Sequence, residues 1–253
     1  MTISERDIMG GLAKGLAVIE TFSAAHPRQS IAEVSAASGL DRATARRCLL
    51  TLAFHGYADY DGKFFTLTPR VLRLGTACLA TMPLPQIVQP LLDRLSDEIG
   101  ESSSVAILDG AEIVYVARAA QRRVMSIALM PGSRLPAFCT SMGRVMLAAL
   151  PEAEARALLG PGPLPARSPF TRTDPEAVMA ELARVRSDGF AVIDQEVEAG
   201  LRSIAVPVLN ARGRTVAALN VGLAAGRAAP EALAGLFLPR LQAVQAELRR
   251  MLR

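Results

Sequence analysis

The segment Ser38-Gly-Leu-Asp-Arg-Ala-Thr-Ala-Arg-Arg-Cys-Leu49 constrains this chain more than any other stretch. Gly39 can take a positive φ without steric cost. Leu40 is placed to plug the angle between two helices, and Asp41 is a favoured N-cap residue. The segment therefore reads as the turn and second helix of a helix-turn-helix. At about 100° per residue, Ala45, Leu49 and Leu52 share a buried face, whereas Ala43, Arg46, Arg47 and Leu50 point the other way, with Thr44 and Thr51 flanking. Adjacent arginines on the open side of a short helix suit phosphates and guanine edges. From Arg42 to Ala58 there are three arginines, one histidine and no acid.

The flanks complete a winged version of that motif. Leu12, Leu16 and Ile19 recur at helical spacing in a first helix over Gly11 to Phe22, and His26-Pro27 stops it. Ser30 and Glu33 have capping-box spacing, so a short helix runs from there to Ser38. Tyr57 to Tyr60 and Lys63 to Leu67 form a hairpin around Asp61-Gly62, a favoured tight turn. Lys63 stands at its tip. Thr68-Pro69 opens a further helix over Arg70 to Thr81, with Leu72 and Leu79 on one face, and Met82-Pro-Leu-Pro85 breaks it. Arg42, Thr44, Arg46, Arg47 and Lys63 are the candidate DNA contacts.

The second part alternates differently. A helix over Gln86 to Ile99, closed by Gly100, precedes strands at Ser103 to Leu108, Glu112 to Ala117 and Val124 to Met130. Thr140 or Ser141 caps a helix running to Leu150. Gly160 to Pro175 is a Pro/Gly-rich loop, and Pro175 to Asp188 is helical. Strands follow at Phe190 to Asp194, Ser203 to Asn210 and Val216 to Leu223, and a helix over Pro230 to Arg253 closes the chain. The fold class is α+β, with boundaries expected at 1–68 for the winged domain, 69–83 for a linker helix and 84–253 for the second domain.

Composition excludes several function classes. Half of the 253 residues are hydrophobic and 21% are charged, enough to build cores. Cys48, Cys78 and Cys139 have neither disulfide-framework nor metal-knuckle spacing. No apolar run reaches the roughly 18 residues of a membrane span, so the chain is expected to be cytoplasmic. Up to Pro83 there are nine basic and seven acidic residues, and afterwards 19 and 17, so neither part is a basic tail. A hydrolase built on Ser141 would need a histidine partner, yet both histidines, His26 and His55, lie in the first part. Neither an active site nor a cofactor is expected. Ser141-Met142-Gly143 instead offers backbone N–H groups and the positive end of a helix dipole to a carboxylate, although an ordinary capped helix explains the same residues.

Over essentially its whole length the chain resembles the IclR family of bacterial transcriptional regulators. Besides Ser38 to Leu49, GSRLPAFCTSMGRVMLAAL (Gly132 to Leu150) and GFAVIDQEVEAGLRSIAVPV (Gly189 to Val208) carry the resemblance, which is strongest to the branch controlling protocatechuate and 4-hydroxybenzoate catabolism. The resemblance implies a winged helix-turn-helix, a linker helix used in dimerisation and a GAF/PAS-like α/β effector domain. It also implies a homodimer or dimer of dimers on double-stranded operator DNA, responding to a small organic, aromatic acid. By the same resemblance Ser141, Met142 and Gly143 line the effector pocket, Ile127 and Leu135 form its apolar wall, and Leu201, Ser203, Asn220 and Asp194 reach in from later strands.

Overall fold

In the computed structural model, Ser30 and Glu33 close a reciprocal capping box: the Ser30 side chain accepts from Glu33 N–H and the Glu33 carboxylate accepts from Ser30 N–H at 2.7 Å. The serine hydroxyl, which donates to the same carboxylate, holds the Glu33 carboxyl below its ordinary pKa. The structure describes residues 4–23, 25–121 and 129–252. It divides into two units, Met1–Ala80 and Thr81–Arg253.

The first unit holds α1 (Gly10–Glu20), β1 (Arg28–Ser30), α2 (Ile31–Ser38), α3 (Arg42–Phe54), β2 (Ala58–Tyr60) and β3 (Phe64–Leu67). Gly39 has φ 69°, and Asp41 caps α3 by accepting from Thr44 N–H at 2.9 Å. Val18, Val34, Ala45, Leu49, Ala58 and Phe65 form the core, with Leu40 packed against it. Three details differ from the sequence expectation. Leu50 is half-buried against this core rather than pointing outward. The turn sits one residue later, because Asp61 N–H bonds Phe64 O across Gly62-Lys63, and Asp61 Oδ1 accepts from both Lys63 and Phe64 N–H. β1 joins the wing as a third strand, in the order β1-β3-β2. It is too short to show alternation, and its buried Gln29 donates to Thr21 O instead of exposing a polar face.

A 3-10 turn at Pro69–Val71, capped by Thr68, leads into α4 (Leu72–Thr81), on which Leu72 and Leu74 are exposed. α5 (Pro83–Ile99) starts three residues before the expected Gln86. Pro83 and Pro85 fall in the first turn, where no N–H is required.

The second unit continues with β4 (Ser102–Asp109), β5 (Glu112–Ala119), β6 (Arg134–Pro136), α6 (Ser141–Ala148), α7 (Glu152–Leu159), α8 (Pro175–Asp188), β7 (Ala191–Asp194), β8 (Leu201–Leu209), β9 (Thr215–Ala224) and α9 (Ala232–Met251). β6 and α7 were absent from the sequence expectation. The expected strand at Val124 to Met130 falls mainly on 124–128, outside the described residues. The strands make an antiparallel sheet ordered β6-β5-β4-β9-β8-β7. One face packs on α5 and α9 through Leu92, Leu95, Val105, Leu219 and Leu241. The other packs on α6 and α8 through Ala106, Tyr115, Val145, Leu182, Ala205 and Ala218.

One irregularity decides where a charge goes. Val105 pairs with Ala117 while Ala106 pairs with Tyr115, so Val116 is an extra residue in β5. Such a bulge reverses the alternation beyond it. Ile113, Tyr115 and Arg118 therefore share the α6 face, although strict period-two counting puts Arg118 on the opposite one.

Candidate functional site

On α3, Arg42, Arg46 and Arg47 are exposed, as is Lys63 at the wing tip. Among the described residues none of the four is ion-paired. Lys63 lies 5.1 Å from the centre of the Phe64 ring, on which Arg28 also packs at 4.0 Å. Thr44 differs from the rest. It is half-buried and its hydroxyl donates to Asp41 Oδ2 at 2.7 Å, so it acts first as part of the cap. Thr44's hydroxyl, then its N–H, hold the Asp41 carboxyl below its ordinary pKa.

In the second unit the α6 face of the sheet changes character along its strands. Beneath α6 it carries Ala106 and Ala218. Toward the other end the same face carries small and polar residues in cross-strand rows, Arg118–Ser104–Asn220 and Ser102–Gly222–Ser203. α6 reaches this end only with its first turn, Ser141 and Met142, and a small cavity of about 30 Å³ remains beside it. Leu135, Ser141, Met142, Leu201, Ser203 and Asn220, drawn from four separate segments of sequence, all line it.

Two expected pocket residues stand elsewhere, and a third, Ile127, lies outside the described residues. Gly143 is not at the cavity. A Cβ on it would stand 2.1 Å from Ala137 O, so the glycine lets α6 approach the preceding turn, and its N–H donates to Thr140 Oγ1 at 3.1 Å. Thr140 is thus the cap, and one of the three N–H groups expected for an anion is already used. Asp194 pairs with Arg202 at 2.5 Å and does not line the cavity. Ser141 donates to Ser203 Oγ at 2.8 Å, which spends its hydroxyl on the sheet.

The cavity also holds a cation that sequence reasoning missed. Arg118 is half-buried on the cavity wall and donates from Nη1 to Ser104 Oγ at 3.0 Å. Among the described residues no carboxylate pairs with it. Burial lowers its pKa and the Tyr115 phenol opposes that effect, while burial pushes the Tyr115 phenol up to about 12. Guanidinium stays charged in proteins, and a partly desolvated one facing an enclosed space favours an incoming anion. The run of three serines, Ser102 to Ser104, signals a polar patch in a buried strand, but not the arginine beside it. Arg134, by contrast, pairs on the surface with Asp109 and Glu112.

A buried ion pair holds the rim. Arg144 on α6 donates to Glu196 Oε2 at 2.7 Å and to Phe138 O at 2.9 Å. Glu196 also accepts from Arg172 N–H, and its own carbonyl accepts from Thr171 Oγ1. The neighbouring Gln195 has φ 61°, the one positive non-glycine φ among the described residues. This tethered segment brings Val197 and Leu201 over the cavity.

These two constellations, a basic recognition helix and an enclosed cavity on a GAF-like sheet, have counterparts in known proteins. The IclR helix-turn-helix domain matches residues 11–62 and the C-terminal domain of bacterial IclR transcriptional regulators matches residues 76–248. The chain belongs to the IclR family. It is 46% identical to the Pca regulon regulatory protein of Pseudomonas putida over 243 residues, covering 96% of this chain and 84% of that one. It is 37% identical to the p-hydroxybenzoate hydroxylase transcriptional activator of Acinetobacter baylyi, covering 98% and 94%. The crystal structure of an IclR homologue complexed with 4-hydroxybenzoate, from Microbacterium hydrocarbonoxydans, superposes with a TM-score of 0.71 at 27% identity, covering 95% of this chain and 99% of that one. This IclR protein is a ligand-responsive, DNA-binding transcriptional regulator.

Proposed function

We propose that this IclR regulator binds a small aromatic carboxylic acid in the cavity floored by Arg118, Asn220 and Gly222, and thereby controls genes of aromatic-acid catabolism. Arg118 carries the reading. A half-buried cation without an acidic partner carries part of the cost of desolvation, and a ligand carboxylate offsets that cost by a charge-assisted hydrogen bond. Leu135, Met142 and Leu201 supply apolar surface for a ring. The relatives named for protocatechuate and p-hydroxybenzoate regulation, and the homologue holding 4-hydroxybenzoate, support the same ligand class.

DNA is read by Arg42, Arg46, Arg47 and, less directly, Thr44, with Lys63 on the flanking backbone. The protein acts in the cytoplasm as a homodimer or dimer of dimers, which sets two recognition helices in successive major grooves. Residues 1–68 serve as the DNA-binding domain, 69–83 as the linker helix and 84–253 as the effector domain. The acid acts only if it binds one quaternary arrangement better than the other. Calorimetric titration of the full chain with 4-hydroxybenzoate tests the site. Saturable binding that Arg118→Met removes is expected, and undiminished binding to that variant would overturn the assignment.

A further inference from the structure

Two features of the cavity floor remain unexplained by an anion site. The first is Gly222, in mid-strand between Ser102 and Ser203. Its φ is not in the left-handed region, and a Cβ built on it meets nothing within 4 Å. Neither turn geometry nor close packing calls for a glycine here. Glycine weakens a strand unless something approaches the backbone closely, and the empty space above Gly222 belongs to the cavity. The second is Asn220. It is 8% exposed, lines the cavity, and its Oδ1 is buried without a hydrogen-bond partner among the described residues. An amide oxygen accepts and cannot donate. A carboxylate, which only accepts, does not satisfy it; a hydroxyl proton does.

Asn220 shares a cross-strand row with Arg118, Ser104 standing between them. Anion donor and orphan acceptor therefore face the same space from strands on either side of β4, two strand steps or roughly 10 Å apart. We propose that Gly222 and Asn220 set the selectivity of the site for a one-ring hydroxy acid: the bare Gly222 backbone seats the ring, and Asn220 Oδ1 takes the hydrogen bond of its hydroxyl. This rests on the reading of the cavity as an aromatic-acid site. Plain benzoate leaves the Asn220 oxygen unsatisfied, and a site built around a hydroxyl rejects the analogue that lacks it.

The test is calorimetric titration of the full chain with benzoate and with 2-, 3- and 4-hydroxybenzoate, using the wild type, Asn220→Leu and Gly222→Ala. In the wild type at least one hydroxybenzoate binds about tenfold or more tightly than benzoate. In Asn220→Leu, whose leucine keeps asparagine's branched shape but accepts nothing, no hydroxybenzoate keeps more than about a threefold advantage. Gly222→Ala weakens every acid about tenfold or more without lowering the melting temperature of the ligand-free chain, since the added methyl occupies only ligand space. Equal binding of all four acids to the wild type, a preserved ratio in Asn220→Leu, or undiminished binding to Gly222→Ala would each overturn the proposal while leaving the aromatic-acid reading intact. Binding of none of the four would overturn both. Should Asn220→Leu fail to fold, the wild-type ratio and Gly222→Ala decide the matter.

Discussion

Arg47 and Arg118 are both arginines without an acidic partner among the described residues, yet their surroundings give them different work. Arg47 is exposed on α3, where each phosphate neutralised releases counterions. Arg47→Ala should weaken operator binding and reduce the salt slope by about one if it meets phosphate, as read by anisotropy across a salt series; an unchanged affinity and slope would show that the helix faces the wrong way. Arg118 is half-buried on the cavity wall, where the proposed function gives it the carboxylate of an acid. Two buried acids in the same unit make stability depend on pH. Burial lifts the Cys139 thiol from 9.0 to about 12 and the Tyr115 phenol from 10.0 to about 12. The folded state keeps these protons after the unfolded chain has lost them. Their contribution is therefore complete below pH 9 and is lost as pH rises to about 12, with a slope near 1.4 kcal/mol per unit for each group. Tyr115→Phe should flatten the fall above pH 10 in chemical denaturation; an identical alkaline profile would contradict the assignment.

Among the elements, α6 is the piece on which the cavity depends. Gly143→Ala would drive a methyl into the Ala137 backbone, and a cost of at least about 2 kcal/mol is expected from such overpacking. The variant should melt well below the wild type. Arg144→Met leaves Glu196 buried without its main partner, a change worth about 3–5 kcal/mol in comparable pairs. Because Glu196 tethers the segment over the cavity, acid affinity should fall with stability in Arg144→Met. Full retention of both would mean that the ion pair holds nothing. Where the sequence spoke clearly, a local rule had no competitor: the Ser30 box, the Gly39 turn and the Pro175 helix start each depend on a few adjacent residues. Leu135, Ser141, Met142, Leu201, Ser203 and Asn220 could be named through family resemblance, and they do meet at one cavity. Arg118 could not. Its orientation depends on an extra residue, Val116, which is visible only when β5 is laid against β4. Asp194 and Gly143 misled for the opposite reason, since each looks available in sequence and is occupied by a partner, Arg202 or Thr140, chosen by the tertiary fold.

For the whole molecule, recognition and sensing reside in separate units of one chain, so effector binding matters only through differential affinity for two arrangements of the DNA-reading parts. The coupling implied is modest, since typical values are about 1–3 kcal/mol, a change of roughly five- to 150-fold in affinity. It is also reciprocal: operator DNA should alter acid affinity by the same factor, which calorimetry with and without DNA can check. The most direct test of the account is the dissociation constant for the DNA upstream of the chain's own coding region, measured by anisotropy with and without saturating 4-hydroxybenzoate, for the wild type and Arg118→Met. The acid should move the wild-type constant by about fivefold or more and leave that of Arg118→Met where it was. An equal shift in both proteins, or none in the wild type, would contradict the claim that this cavity governs DNA binding.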